Sequence, residues 1–243
     1  AVILPIFVSV HSIVSWDFGM AVSVEAWHST VFAPYFVIGA VHSGVSAVVT
    51  VMLILRWFFR WEDYIRMEHI EALAKLLIVV ATTWFFFAII EFVFGLYALE
   101  GPEVALRELQ VFGSPWQTLG ILFLFTGYLI PVPMWMFKRV RRSVGLMIFT
   151  TVLVNIGMWL ERFIIIVPGL ARKQAFTFSW GSYAPSPVEI TIIAATFCMV
   201  SMLVLLFAKV LPLIPIGDIK EGVVLEDEIQ IGKVAVPAVA RED

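Results

Sequence analysis

Cysteine is almost absent from this sequence, where Cys198 stands alone inside an apolar run. One thiol forms no internal disulfide and falls far short of the four thiolates that hold an iron–sulfur cluster, so a thiolate-held redox centre belongs to a partner chain. Charge is scarce as well. Lys, Arg, Asp and Glu make up 14% of the 243 residues, against about 25% in a soluble domain. The net charge of −3 argues against nucleic acid as a partner. No Ser/His/Asp order, phosphate-binding glycine loop or metal-ligand spacing occurs, so a soluble-type hydrolase has no support. His28 and His42 approach the spacing of stacked haems in four-helix cytochromes, but only His11 and His69 remain as partners and Pro34 breaks the register. Haem ligation by this chain is set aside.

What remains is grease. Hydrophobic residues form 61% of the chain, with 21 Phe and 9 Trp, and the mean hydropathy is +0.97. Those values describe an all-α integral membrane protein whose aromatics face lipid and line the interfaces. Residues 1–14 are apolar but too short for about 30 Å of hydrocarbon, which takes roughly 20 helical residues. Five complete spans follow, at 31–55, 70–99, 118–137, 144–167 and 189–215, which makes five full spans plus one partial span. Ala1 opens straight into an apolar run with no basic segment before it, and reads as the continuation of a longer polypeptide. Residues 1–215 thus form a helical bundle, and the acidic, weakly alternating stretch 216–243 reads as an extended cytoplasmic tail lying on a partner.

The run KRVRR at 138–142, with Arg56, Arg60 and Arg66 after the second span, sets the orientation, since short cytoplasmic loops collect Lys and Arg. Alternation then places the polar groups around residues 11–28, the loop at 100–117 and the loop at 168–187 on the outer face. Arg172 and Lys173 in the last loop dissent. Gly39, Ser43, Ser46 and Thr50 recur at helical spacing and mark a packing seam, with His42 beside it as either a helix-to-helix hydrogen-bonding group or a catalytic one. Pro131 and Pro133 kink the 118–137 span or serve simple packing.

Ionisable side chains cost several kcal/mol at mid-bilayer, so those at the rim deserve a chemical reading. His11, Asp17, Glu25 and His28 lie between two apolar segments; they either cap helices and touch headgroups or handle protons for a polar ligand. A quinol needs acceptors for two hydroxyls and a route for the protons, and His and Asp are apt for both. Six residues apart, His11 and Asp17 are about 120° out of register on one helix, so joint service requires the helix to end or unwind between them. Glu91, deep in its span, is either a proton-path member or a carboxyl hydrogen-bonded to a neighbouring helix. Asn155 and Arg162 share a face, while Glu161 points about 100° away; Arg162 either snorkels to headgroups or holds a carboxylate or carbonyl.

The runs SVHSIVSWDF, WHSTVFAPYFVIGAVHSGVSAV, EDYIRMEHIEALAK, FKRVRRSVGLMIFTTVLVNIGMWLERFIIIVP and SWGSYAPSPVE resemble the NrfD-like membrane subunits, the polysulfide-reductase membrane-subunit family. The resemblance covers nearly all of residues 8–215. It implies a longer subunit with two helical bundles, of which this chain holds mostly the second. It also implies quinone chemistry near the periplasmic face of a bacterial inner membrane, beside an iron–sulfur subunit. In alternative complex III, a complex with such subunits, electrons pass from menaquinol or ubiquinol to periplasmic cytochromes c or an associated oxidase. The expected partners are therefore an iron–sulfur subunit, multihaem cytochrome c subunits, a paralogous membrane subunit and lipids. Menaquinone or ubiquinone is the expected cofactor, no metal is expected in this chain, and clusters and haem c fall to the partners. Carried onto this sequence, the resemblance makes His11 and Asp17 the catalytic pair and assigns Trp27, His28, Glu161 and Arg162 to the quinone. His42, Lys75 and Glu91 become candidates for a proton path, with proton translocation as a further expectation. The alternatives are a non-catalytic membrane anchor of the same complex and, on the strength of the prolines and Glu91, a transporter.

Overall fold

The computed structural model describes residues 3–25, 27–62, 64–171, 181, 183–211, 228–231 and 234–237. Arg172 and Lys173, and most of the 216–243 tail, lie outside the described residues. The chain forms two compact units, 1–183 and 184–243.

In the first unit, α1 (Ile3–Trp16) runs on without a break as a π-helical stretch, Asp17–Val22. Together they give 20 residues, about 30 Å at the helical rise, enough to cross a bilayer. The first span is therefore full-length, which corrects the expected partial span, and the helix does not unwind between His11 and Asp17. The helix widens to a π-turn instead of opening, which keeps its backbone groups bonded in lipid. It stops at Ser23, which holds a left-handed φ of 49°. Gly19 in the π-turn is buried, and a Cβ there would lie 3.2 Å from the Ser29 carbonyl; the missing side chain lets the following loop fold back.

The long helices α2 (Phe32–Phe59) and α3 (Met67–Tyr97) come next. A short amphipathic helix, α4 (Gly101–Phe112), has proline in its first turn. The fourth span, Trp116–Met136, is broken into α5 (Trp116–Leu124), a π-helical stretch Phe125–Leu129 and α6 (Pro131–Met136). Pro131 has no N–H to continue the ladder, and the slack is taken up just before it, where Ile130 N donates to Phe125 O at 3.0 Å. A short helix, α7 (Lys138–Arg141), leads into α8 (Val144–Ala171).

The core lies where α2, α3 and α8 meet, on Val49, Leu53, Leu77, Trp84, Met147 and Val154. Lipid is as apolar as a leucine side chain, so close packing and hydrogen bonds hold these helices together. The predicted small-residue seam does this. Ser46 donates to the Thr151 carbonyl at 2.9 Å, Thr50 to the Thr151 hydroxyl at 2.9 Å, and Asn155 to the Thr50 hydroxyl at 3.3 Å.

In the second unit, α9 (Pro187–Val210) opens on a capping box: Ser186 Oγ accepts from Glu189 N at 3.3 Å and Ser186 N donates to Glu189 Oε2 at 2.5 Å. A two-stranded antiparallel hairpin, β1 (Glu228–Ile231) and β2 (Val234–Pro237), pairs Glu228 opposite Pro237. Among the described residues, six helices are long and apolar enough to cross a membrane, and the protein is a multi-pass helical membrane protein.

Helices pack closely at Gly157, where a Cβ would fall 2.6 Å from Gly127 N in the π-turn. Gly157→Ala is expected to cost about 1–3 kcal/mol by overpacking, read as a lowered melting temperature in detergent. Gly44→Ala, with open space around it, leaves that temperature unchanged or slightly raised.

Candidate functional site

A carboxylate inside a membrane bundle has to be paired, hydrogen-bonded or neutral. Glu161 on α8 is 2% exposed and has two partners. Trp84 on α3 donates its indole N–H to Oε1 at 2.9 Å, and Arg162 turns its Nε back to Oε2 at 3.3 Å. The two side chains leave the helix about 100° apart, and the length of the arginine closes that angle. Arg162 Nη2 also donates to the Phe36 carbonyl on α2 at 3.3 Å, with the guanidinium 4.1 Å over the Phe36 ring. Gly39 makes this possible, since a Cβ there would sit 2.8 Å from Arg162 Nη2. Phe36 in turn stacks on His11, with centroids 6.4 Å apart, and Phe7 flanks His11 at 4.4 Å.

A second polar group closes one end of the bundle. The loop after α1 carries Ser29, whose hydroxyl accepts from Phe32 N at 3.1 Å, capping the start of α2. The same hydroxyl donates to Glu91 Oε2 in a short hydrogen bond. Arg107 on α4 pairs with Glu103 at 2.8 Å and approaches Glu91 at 3.9 Å. His28 Nε2 meets Glu100 at 3.2 Å, and its Nδ1 lies 3.6 Å from Glu103. Gln110 ties the group to α8 by accepting from Arg107 at 3.2 Å and donating to the Ile164 carbonyl at 3.2 Å. Burial pushes the Glu103 carboxyl above its ordinary range, against the opposite pull of Arg107 and then His28. Its Oε2 accepts no hydrogen bond among the described residues. These groups surround a cavity of about 250 Å³ whose wall includes His28, Ser29, Glu91 and Glu103 on the polar side and Val31 and Phe94 on the apolar side.

Tyr35, 5% exposed, stands within electrostatic reach of Glu161, Arg162 and Glu91. A largely buried line of paired groups thus leads from Glu91 through Arg107, Glu103 and His28 and ends at the exposed Glu100.

The sequence-based site residues divide accordingly. Glu161 and Arg162 come together, His11 joins them through Phe36, and Glu91 and His28 meet at the cavity. Arg162 holds both a carboxylate and a carbonyl, as one of its two readings required. Asp17 is exposed and, among the described residues, has no hydrogen-bond or ion-pair partner. The continuous helix keeps it out of register with His11. Trp27 is 7% exposed in the capping loop. His42 is fully buried against Trp84, with centroids 5.4 Å apart, but neither ring nitrogen has a hydrogen-bond partner among the described residues. The expected helix-to-helix hydrogen bond of His42 is corrected on that ground. Lys75 lies 16 residues before Glu91 on α3, about 24 Å along it, and pairs with Glu71 in an exposed position. It stands apart from the buried line.

Sequence reasoning missed Ser29, Tyr35, Phe36, Trp84, Glu103 and Arg107. Glu103 and Arg107 carried a signal, an i,i+4 pair just after a proline at a helix start. Trp84 carried none, because one indole in a run of phenylalanines shows no partner.

Removing the cation shared by two buried carboxylates leaves them uncompensated. Arg107→Gln is expected to cost about 3–5 kcal/mol, measured by chemical or thermal unfolding in detergent. Glu100→Gln, at the exposed end of the line, changes stability by no more than about 0.5 kcal/mol.

The sequence model of the family described as "Polysulphide reductase, NrfD" matches residues 1–174. No curated protein matches the chain.

Proposed function

The chain belongs to the NrfD family, a family of membrane subunits of quinone-interacting redox complexes, and from that premise we propose that it is the quinol-binding membrane subunit of a quinol:electron-acceptor oxidoreductase. Within that class the reading is an ActC-like subunit of alternative complex III in a bacterial inner membrane. Electrons leave to an iron–sulfur partner and then to cytochrome c subunits, and a paralogous membrane subunit stands alongside.

One observation carries this reading: the line of paired groups from Glu91 to Glu100, which connects the interior of the bundle to one of its ends through groups able to hold or pass a proton. The residues fit a reduced quinone, menaquinol or ubiquinol. His11 is half-buried beside the Glu161–Arg162 pair, and its ring nitrogens make no hydrogen bond among the described residues. It has an acceptor to offer a ring hydroxyl. Bound quinol supplies two electrons and two hydroxyl protons.

The chain's own residues do the rest. Arg162 fixes Glu161 and, through Phe36, the wall beside His11. Tyr35 sits between the two carboxylates and relays between them. Glu91 takes the proton in the cavity, where Ser29 and Arg107 hold its carboxyl. Glu103 and His28 pass it to Glu100 and water. In this reading Trp27 covers the cavity end, and Asp17 meets the head group or the neighbouring bundle from the outer edge of α1. His42 and Lys75 lie off the exit line. The isolation of Asp17 is what favours the second reading, a non-catalytic ActF-like anchor, which retains no quinone on purification.

His11→Ala and Glu91→Gln are each expected to lower quinol turnover by at least tenfold while the complex still assembles. Those are losses typical of a removed proton-transfer group. Wild-type turnover in both variants, measured with a soluble quinol analogue, would remove the assignment.

A further inference from the structure

At the other end of α3 the charges do not balance. Glu71, in the first turns of α3 and 8% exposed, receives three cations. Arg142 Nε lies 2.7 Å from Oε2, and Lys75 Nζ and Arg141 Nη2 lie 3.5 and 3.6 Å from Oε1. One carboxylate answers one of them. Lys138 and Arg139, exposed on α7, add to the excess, and the group stays positive even with Glu68 one turn earlier on α3.

The cations differ in what they have left to give. Arg141 is committed, because its Nη1 donates to the carbonyls of Trp135 at 2.6 Å and Met136 at 2.9 Å, fastening the end of α6. Arg142 and Lys75 are not. Their side chains are 52% and 63% exposed, and with only Nε of Arg142 used on Glu71 its Nη groups point to no described acceptor.

Position decides what fills this excess. The cluster lies where the α3 and α8 spans begin, at the depth of lipid headgroups. From Lys75 an exposed stripe at i+4, i+7 and i+11 runs along α3 through Val79, Thr82 and Phe86, with Val79 63% and Phe86 57% exposed. Thr82 turns its hydroxyl inward to the Ile78 carbonyl at 2.7 Å, so the stripe offers methyl and ring surface. Met136 and Phe137, 70% and 67% exposed, add apolar surface just before the basic run. Cations at the head of an apolar track match a phosphodiester joined to acyl chains; a free anion would make no use of the track.

We propose that Arg142 and Lys75, oriented by Glu71, form a binding site for one anionic phospholipid, whose phosphate bridges the two cations and whose acyl chains lie along α3 from Val79 to Phe86. The site is independent of the quinone reading, since it shares no residue with the buried line. Lys138 and Arg139 supply long-range attraction without touching the phosphate.

The test uses the full protein, purified with its partner chains and placed in nanodiscs of phosphatidylcholine with a titrated fraction of phosphatidylglycerol. Retained phosphatidylglycerol is counted by mass spectrometry after delipidation. The wild type is expected to keep one molecule that Lys75→Gln holds about fivefold more weakly, and Lys75→Gln with Arg142→Gln loses it. Lys75→Gln leaves both arginines on Glu71, so its fold is preserved. Phe86→Ala weakens retention without changing any charge, whereas Lys138→Gln leaves it within twofold. Equal retention by the wild type and Lys75→Gln would overturn the site, and so would displacement of the lipid by millimolar inorganic phosphate, which would mark a soluble-anion site instead.

Discussion

The pairing of Glu161 is the constraint on which the rest of this bundle depends. In an apolar medium an unpaired carboxylate is far more costly than any single packing contact, and here its partners come from two different places. Trp84 brings α3 to it, and Arg162 fastens α8 to the backbone of α2 through Phe36. Three helices thus converge on one side chain. The room for it comes from Gly39, since no other residue at that point would leave the guanidinium and the indole where they are. Polar contacts of this kind do in lipid what a hydrophobic core does in water: they make one arrangement of equally greasy helices better than the others.

The same logic builds the capped end. The π-turn after α1 carries the chain back over the bundle, Ser29 both caps α2 and reaches Glu91, and α4 presents Arg107 to two carboxyls at once. Gly95 is the hinge of this contact, because a Cβ on it would lie 2.9 Å from Glu103 Oε1. Helix α4 can therefore lie close against α3. Tyr35, buried on α2, feels the charge of both carboxyl groups.

Much of the fold was legible. Apolar length marked the spans, the small-residue period marked the α2–α8 seam, and the charge between 100 and 117 marked a polar connection with a short helix. The first span was misjudged because the apolar run was taken to end at residue 14, short of the polar Asp17. In the structure Asp17 and Gly19 form a π-turn that keeps the backbone bonded and lets the helix run on to Val22. The site was legible only in part. Glu91, Glu161, Arg162, His11 and His28 stood out because ionisable groups in an apolar run are costly wherever they fall. Their grouping was not visible, and Asp17 shows why: residue type made it look like a partner of His11, and helical phase separated them.

The sequence by itself determined that this chain is a bundle of membrane-crossing helices, which of its ends is basic, and which residues are too polar to lie idle. Those are properties of composition and period, and they depend on the solvent more than on neighbours. Only the tertiary structure decided that Trp84 reaches Glu161, that Arg107 is shared by Glu91 and Glu103, that His42 is left without a partner among the described residues, and that Lys75 belongs to a separate basic end. The cross-segment contacts among them join residues 16 apart, as for Arg107 and Glu91, or 77 apart, as for Trp84 and Glu161, set by helix phase and crossing. A sequence read along one dimension leaves both free.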